Sequence, residues 1–359
     1  MSIRKKARAA TIAAGMVLTL ALTGCTTTRD AASPAPANGT PASGTGGLPA
    51  VAAPQEVIAK SLDAMRGKKV QMITISGDGA PLTRAWRERA ALGFKEVGVD
   101  FTAITANFDT QVLAQQVQTA IDQKPAALIL HNADLSGLAK LIQQAQASGI
   151  YVIVMNLGSN AQSDAYIGPN WLSMVSELAE RASSDCKAMN KKDVAIINGF
   201  GSDTGSLLTV EAATKTFKEQ GMNLVASQPG QYDPTKANEI TRTLMQQHPN
   251  LCAVLGNWDG MMTGAANAVA QAGKIGQVGV YTTDSSQVAC DGIGKGTMAA
   301  AVNYGGGTTM GDNAVALTQY LLQSGLTPGG VKTALFTPTQ IIDKTNYQRV
   351  GSCYAATAQ

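Results

Sequence analysis

Short apolar runs that end in a polar residue recur along this chain, and that repetition limits its possible folds more than any other feature. Val194, Ala195, Ile196 and Ile197 run out into Asn198 and a stretch holding Gly199, Gly201 and Gly205. The same form returns at residues 70–76, 127–132, 151–156, 253–257 and 278–283. Runs so short and so apolar read as strands buried on both faces. Helical patterns follow most of them: Trp86, Ala90, Phe94 and Val97 after the first, and Leu113, Val117 and Ile121 after a further strand at 101–105. Strand, loop and helix in repetition build a mainly parallel sheet. Ligands of such sheets collect at the carboxyl ends of the strands, so function is sought in the residues just after each run.

The 359 residues suffice for two cores, and 45% apolar with 15% charged residues is a globular composition. The beginning of the chain is different. Arg4, Lys5, Lys6 and Arg8 precede an apolar stretch that closes on Leu22-Thr-Gly-Cys25, the form of a secretion signal. The ending resembles a bacterial lipobox, which implies cleavage before Cys25 and lipidation of that cysteine. Residues 26–52 are Thr, Ala, Pro, Gly and Ser with almost nothing to bury, and read as a flexible tether. The formal charge of +3 includes the signal; without its four basic residues, 24 basic stand against 25 acidic. No basic patch with interleaved aromatics is present, so nucleic acid is not an expected partner.

Beyond Cys25, the four cysteines Cys186, Cys252, Cys290 and Cys353 suit disulfides in an exported chain, with three possible pairings. Their long spacings, and two histidines without ligand neighbours, argue against zinc. Catalysis is not expected, and neither is a cofactor. Gly199-Phe-Gly-Ser-Asp203 lacks both the dinucleotide fingerprint and a Gly-Lys-Ser/Thr ending, and no Gly-x-Ser-x-Gly elbow occurs.

In order, the chain predicts a lead-in helix over 54–67, then alternating strands and helices to a strand at 151–155. A crossing follows at 166–171, and the second half repeats the scheme from 193 onward. Gly305-Gly-Gly307 opens a helix of about 308–324, a short strand falls near 332–336, and the tail is irregular. The expected fold class is α/β, with two similar lobes of mainly parallel sheet flanked by helices, joined by a hinge at 168–171, 303–306 and 330–334.

Several motifs, in order and spacing, resemble the sugar-binding family of periplasmic binding proteins that serve ABC importers, the ribose/galactose-binding class with the type I fold. They include Gly79-Ala-Pro-Leu82, Pro125-Ala-Ala-Leu-Ile-Leu130, the unit 145–156, Val225-Ala-Ser-Gln-Pro229, His248-Pro-Asn-Leu251 and Asp259-Gly-Met-Met-Thr-Gly264. The resemblance covers about 69–345. It implies a signal over 1–24, a tether over 25–52, an N-terminal lobe of 53–169 with about 305–332, and a C-terminal lobe of 170–304 with about 333–359.

The resemblance also implies a ligand-binding cleft, here with departures. The first-loop aromatic of the family falls near Leu82, and Trp86 one turn on reads as core. The family's charged pair after the fourth strand is Asn156-Leu157, and an expected asparagine before Asp259 is Trp258. Asp284 keeps the family's acidic residue. The candidate ligand residues are therefore Asp284, Trp258, Asn156, Asn198, Asn257, Leu82, Asp78, Tyr304 and Trp171. Asp284 is expected to accept hydrogen bonds from ligand hydroxyls as a charged group. The expected disulfides are Cys186–Cys252 and Cys290–Cys353, from the positions of these cysteines in the second lobe. The resemblance implies a small uncharged polyhydroxylated ligand (sugar, polyol or cyclitol) and ABC permease subunits as partners. It places a monomer in the periplasm or on the outer face of the cell membrane, held by the lipid on Cys25 alone. A sensor lipoprotein that signals to a receptor kinase or chemoreceptor is the other reading.

Overall fold

The computed structural model describes residues 54–354 apart from Asp78 and Ala133. The expected signal, Cys25 and the tether lie outside the described residues, as does the candidate Asp78. The first half runs α1 (Pro54–Met65), β1 (Lys69–Thr74), α2 (Pro81–Glu96), β2 (Asp100–Thr105), α3 (Thr110–Gln123), β3 (Ala127–His131), α4 (Ala139–Ala147), β4 (Tyr151–Met155) and β5 (Ala165–Gly168). The second runs α5 (Trp171–Ala188), β6 (Asp193–Asn198), α6 (Thr204–Glu219), β7 (Asn223–Pro229), α7 (Pro234–Gln247), β8 (Leu251–Gly256), α8 (Asp259–Gln271), β9 (Gly279–Thr283), α9 (Gln287–Lys295) and β10 (Ala300–Asn303). It ends in α10 (Gly306–Gln323), β11 (Thr333–Phe336) and β12 (Gln340–Asp343).

These strands form two six-stranded sheets, in the orders β11-β5-β4-β3-β1-β2 and β12-β10-β9-β8-β6-β7. Every pairing is parallel except β10 with β12. Apolar content explains why the inner strands sit inside: all residues of β3, β4 and β8 are buried. The helices cover the faces with one apolar stripe each, as in α3, where Leu113, Val117, Ala120 and Ile121 point inward.

The chain passes between sheets three times: after β5, after β10 and after β11. The first two crossings fall where the glycines and Pro169 predict. The third differs. Residues 333–336 pair with β5 in the first sheet, so the chain returns to the second lobe through 337–339 rather than 330–334. Two short strands also escape a reading from sequence. Residues 165–168, taken with the crossing, form β5, and the tail contains β12. Both have four residues and depend on sheet neighbours rather than on an apolar run of their own.

The four cysteines are joined as Cys186–Cys252 and Cys290–Cys353, with Cα separations of 5.4 and 6.2 Å. The first ties the end of α5 to the start of β8. The second ties α9 to the tail, where the amide of Tyr354 donates to the carbonyl of Ser285 and the hydroxyl of Ser285 to that of Ser352.

Candidate functional site

The carboxyl ends of both sheets face one cleft, and the chain lines it chiefly with residues one to three places beyond each strand. About 620 Å³ of space, part of it open to solvent, lies between the lobes. The lobes meet around it: the amide of Leu135 donates to the carbonyl of Ser202 (3.2 Å), and the hydroxyl of Thr204 to that of Gly158 (2.7 Å).

Backbone conformation marks the same places. Phe108, Asn156, Tyr232, Trp258 and Asp284 all line the cleft with φ between 57° and 69°. Such left-handed conformations cost non-glycine residues energy and concentrate where a side chain must be aimed. At Asn156 the neighbours fix the turn. Its carbonyl accepts from Trp171 Nε1 (2.8 Å) and the hydroxyl of Tyr166 (2.9 Å). Two aromatic rings lie directly on glycines: a side chain at Gly199 would overlap Tyr232, and one at Gly260 would overlap Trp258.

The floor is polar and buried. Asn257 donates to Thr209 Oγ1 (2.9 Å), which leaves its buried Oδ1 without a protein partner. Asn156 Oδ1 and both ring nitrogens of His131 are in the same condition. Burial, reinforced by the charge of Arg87, pushes the His131 imidazole down to about 3, so it is neutral with one donor and one acceptor nitrogen. Asp284 accepts from the hydroxyl of Tyr304 through one oxygen. Burial, then the neighbouring charge of Asp259, raises its carboxyl to about 8, against a smaller opposing effect of the Tyr304 bond. With its carboxyl near 8, Asp284 is held largely in the protonated form at neutral pH, where the sequence predicts a charged acceptor. Asp259 itself is held by the amide (2.8 Å) and hydroxyl of Ser286, and burial raises it too.

The upper wall is aromatic. Phe108 lies 6.2 Å from Tyr232 and 5.8 Å from Trp258, ring centre to ring centre, and those two are 6.1 Å apart. Phe200 meets Tyr232 edge-on at 5.2 Å. Asp203 positions this group: it caps α6 by accepting from the amide of Ser206 (2.6 Å) and also accepts from the Tyr232 hydroxyl (3.1 Å).

The cleft brings together Asp284, Trp258, Asn156, Asn257, Leu82, Tyr304 and Trp171 from the expected set. Asn198 is buried at the end of β6 but is not part of the cleft wall. The chain runs on past it through Gly199 before turning, so Phe200 and Asp203 reach the cavity instead. Trp86 is wholly buried in the core against His131, ring centres 5.2 Å apart. Phe108, His131, Phe200, Asp203 and Tyr232 were not singled out from sequence as ligand residues. A signal existed for two of them: Phe108-Asp109 and Tyr232-Asp233 each put an aromatic before a helix-capping aspartate at matching strand exits. Among the described residues no cluster of three or more His, Cys, Asp or Glu could hold a metal.

Comparison with known proteins adds a family to this geometry. The family model described as a periplasmic binding protein domain matches residues 70–326. The chain belongs to this family. Among curated relatives, a D-ribose/D-allose-binding protein of Pseudomonas aeruginosa is 26% identical over 184 residues, 49% of this chain and 56% of that protein. A D-allose-binding periplasmic protein of Escherichia coli is 38% identical over 111 residues, 31% of this chain and 36% of that one. These matches span only about half, or less, of those relatives' lengths. A glucose-galactose binding protein from Geobacillus stearothermophilus superposes with a TM-score of 0.73 at 20% identity, covering 79% of this chain and 100% of its own. A solute binding protein from Bacillus halodurans with bound myo-inositol gives 0.70 at 19% identity, over 79% of this chain and 96% of its own. The two-lobed architecture of this periplasmic binding protein is thus the type I fold.

Proposed function

We propose that this periplasmic binding protein captures a small, neutral, polyhydroxylated solute between its lobes and delivers it to an ABC permease outside the cytoplasm. One observation carries the reading. Asn156, Asn257, His131 and Asp284 converge from both lobes on a single cavity, and the amide oxygens and imidazole have no protein partner. Buried acceptors without donors are costly, and a ligand with several hydroxyls supplies the donors. Among the described residues, no lysine or arginine lines the cavity to hold an anion. Ribose, allose and myo-inositol, in the names of the relatives and the solved structure, share that dense, neutral hydroxyl chemistry. Lipidation of Cys25, with residues 26–52 as a tether, would hold a monomer at the membrane surface within reach of its permease.

A thermal-shift screen of the domain against pentoses, hexoses, polyols and cyclitols tests this directly, since a ligand of the folded form raises its melting temperature. With the binder in hand, Trp258→Ala is expected to weaken affinity about a hundredfold by calorimetry, an anchor residue's loss of roughly 2.7 kcal/mol. A panel with no binder, or undiminished affinity in a folded Trp258→Ala protein, defeats the proposal.

A further inference from the structure

The cleft has two unlike ends, and their difference specifies the ligand more narrowly than the family does. Its floor is hydrogen-bonding and almost sealed: Asn257, Tyr304, Asn156, His131 and Asp284 are 1%, 3%, 6%, 6% and 6% exposed. Its rim is the half-buried ring group of Phe108, Phe200, Tyr232 and Trp258. The Tyr232 hydroxyl is spent on Asp203, so that ring offers the cavity carbon rather than oxygen. Phe108 comes from the first lobe and the other three rings from the second. The rim is therefore complete only when the lobes are together, with the ligand already seated on the floor.

We infer that the ligand carries its hydroxyls along one edge and a deoxygenated or methylated carbon at the opposite edge, under these rings. The inference rests on the polyol-binding reading and narrows it. A hydroxyl pressed against the faces of these rings gives up water and meets carbon, and the Asp203 carboxyl beside them is already engaged by Ser206 and Tyr232. A methyl group in the same place loses nothing polar and adds apolar contact with the aromatic faces. The C–H patches that any sugar offers a stacking ring do not explain the arrangement, because the rings here close one end of the cavity and touch one another.

The test uses matched pairs that differ in one substituent, CH3 for CH2OH in L-rhamnose against L-mannose and L-fucose against L-galactose, and OCH3 for OH in D-pinitol against D-chiro-inositol. In calorimetry at pH 7 the deoxy or methylated member of a binding pair should bind at least tenfold more tightly, about 1.4 kcal/mol. Phe108→Ala should shrink that preference to less than threefold. Equal or tighter binding of the fully hydroxylated member overturns the inference, as does an unchanged preference in a folded Phe108→Ala protein. If all six fail while another, fully hydroxylated polyol binds, the inference falls and the polyol reading stands. If no polyol binds at all, both fall.

Discussion

The two lobes follow one plan and carry different chemistry. Both sheets use the same strand order, and equivalent exits share the same backbone device. After β2 and after β7 come two left-handed residues, the second aromatic, and then a capping aspartate: Asn107-Phe108-Asp109 and Gln231-Tyr232-Asp233. After β4 and after β9 a single left-handed residue turns into the cleft, Asn156 in one lobe and Asp284 in the other. The side chains then diverge. Each lobe offers an amide; the first adds a neutral histidine, whereas the second adds the carboxyls of Asp203 and Asp284, both raised by burial, with Asp259 near enough to raise Asp284 further. Both disulfides lie in the second lobe. A repeated backbone thus fixes where the ligand groups stand, and the sequence of each repeat decides what they are.

Breaking the covalent asymmetry should have the largest effect. Replacing Cys186 and Cys252 together by Ala is expected to cost about 2–5 kcal/mol of stability. Affinity should barely change, because Cys252 sits at the start of β8 and the cleft residues follow its other end. Replacing Cys290 and Cys353 should weaken ligand binding as well, since that bridge holds the tail against the Ser285 loop beside Asp284. Melting curves and calorimetry on both double variants separate the two staples, and equal effects on affinity would erase the distinction.

The Asn156–Asp284 difference can be tested by making the two exits alike. In Asp284→Asn the second lobe presents an amide where the first already does. The folded carboxyl titrates near 8 and the unfolded one near the ordinary value of 3.8, so between these values the folded state keeps a proton that the unfolded chain has lost. This group's contribution to stability is therefore fully present below about 4 and is lost as pH rises toward 8. Asp284→Asn removes that dependence, so the variant should gain melting temperature over the parent at pH 8 and little at pH 4. Its affinity should drop about fivefold, the worth of one neutral hydrogen bond of roughly 1 kcal/mol. A parent and variant with parallel stability profiles across this range would contradict the titration assigned to Asp284.

The smallest effect tests the likeness itself. Asp109→Ala and Asp233→Ala each remove a cap that accepts two backbone amides, and each should cost about 1 kcal/mol in urea unfolding. Near-equal losses support two copies of one turn. A loss confined to one lobe would show that the shared backbone rests on different supports.

The strands that were legible were those whose own residues require burial. Residues 127–131 and 151–155 can only be interior strands, and Leu113, Val117 and Ile121 can only be one face of a helix. Asn156, Asn257, Trp258 and Asp284 were legible as site candidates for the same reason, since each ends an apolar run. Phe108, Phe200 and Tyr232 lie two or three residues further on, inside loops, where an aromatic has no period to betray its direction. Asn198 shows the opposite error: it ends a run like the others, yet a glycine after it carries the chain past the point where its side chain could face the cleft.

Local sequence by itself determined the α/β repeat, the buried inner strands and the amphipathic helices, because each follows from burial or hydrogen bonding within a few residues. Only the tertiary structure decided that 333–336 belongs to the first sheet and that Phe108 meets Tyr232 and Trp258 across the lobes. It alone decided, too, that burial and Asp259 raise the Asp284 carboxyl to about 8. Each of these depends on groups brought together from distant parts of the chain. A carboxyl's charge in particular is set by the water it has lost and the carboxyl beside it, which no stretch of sequence around Asp284 contains.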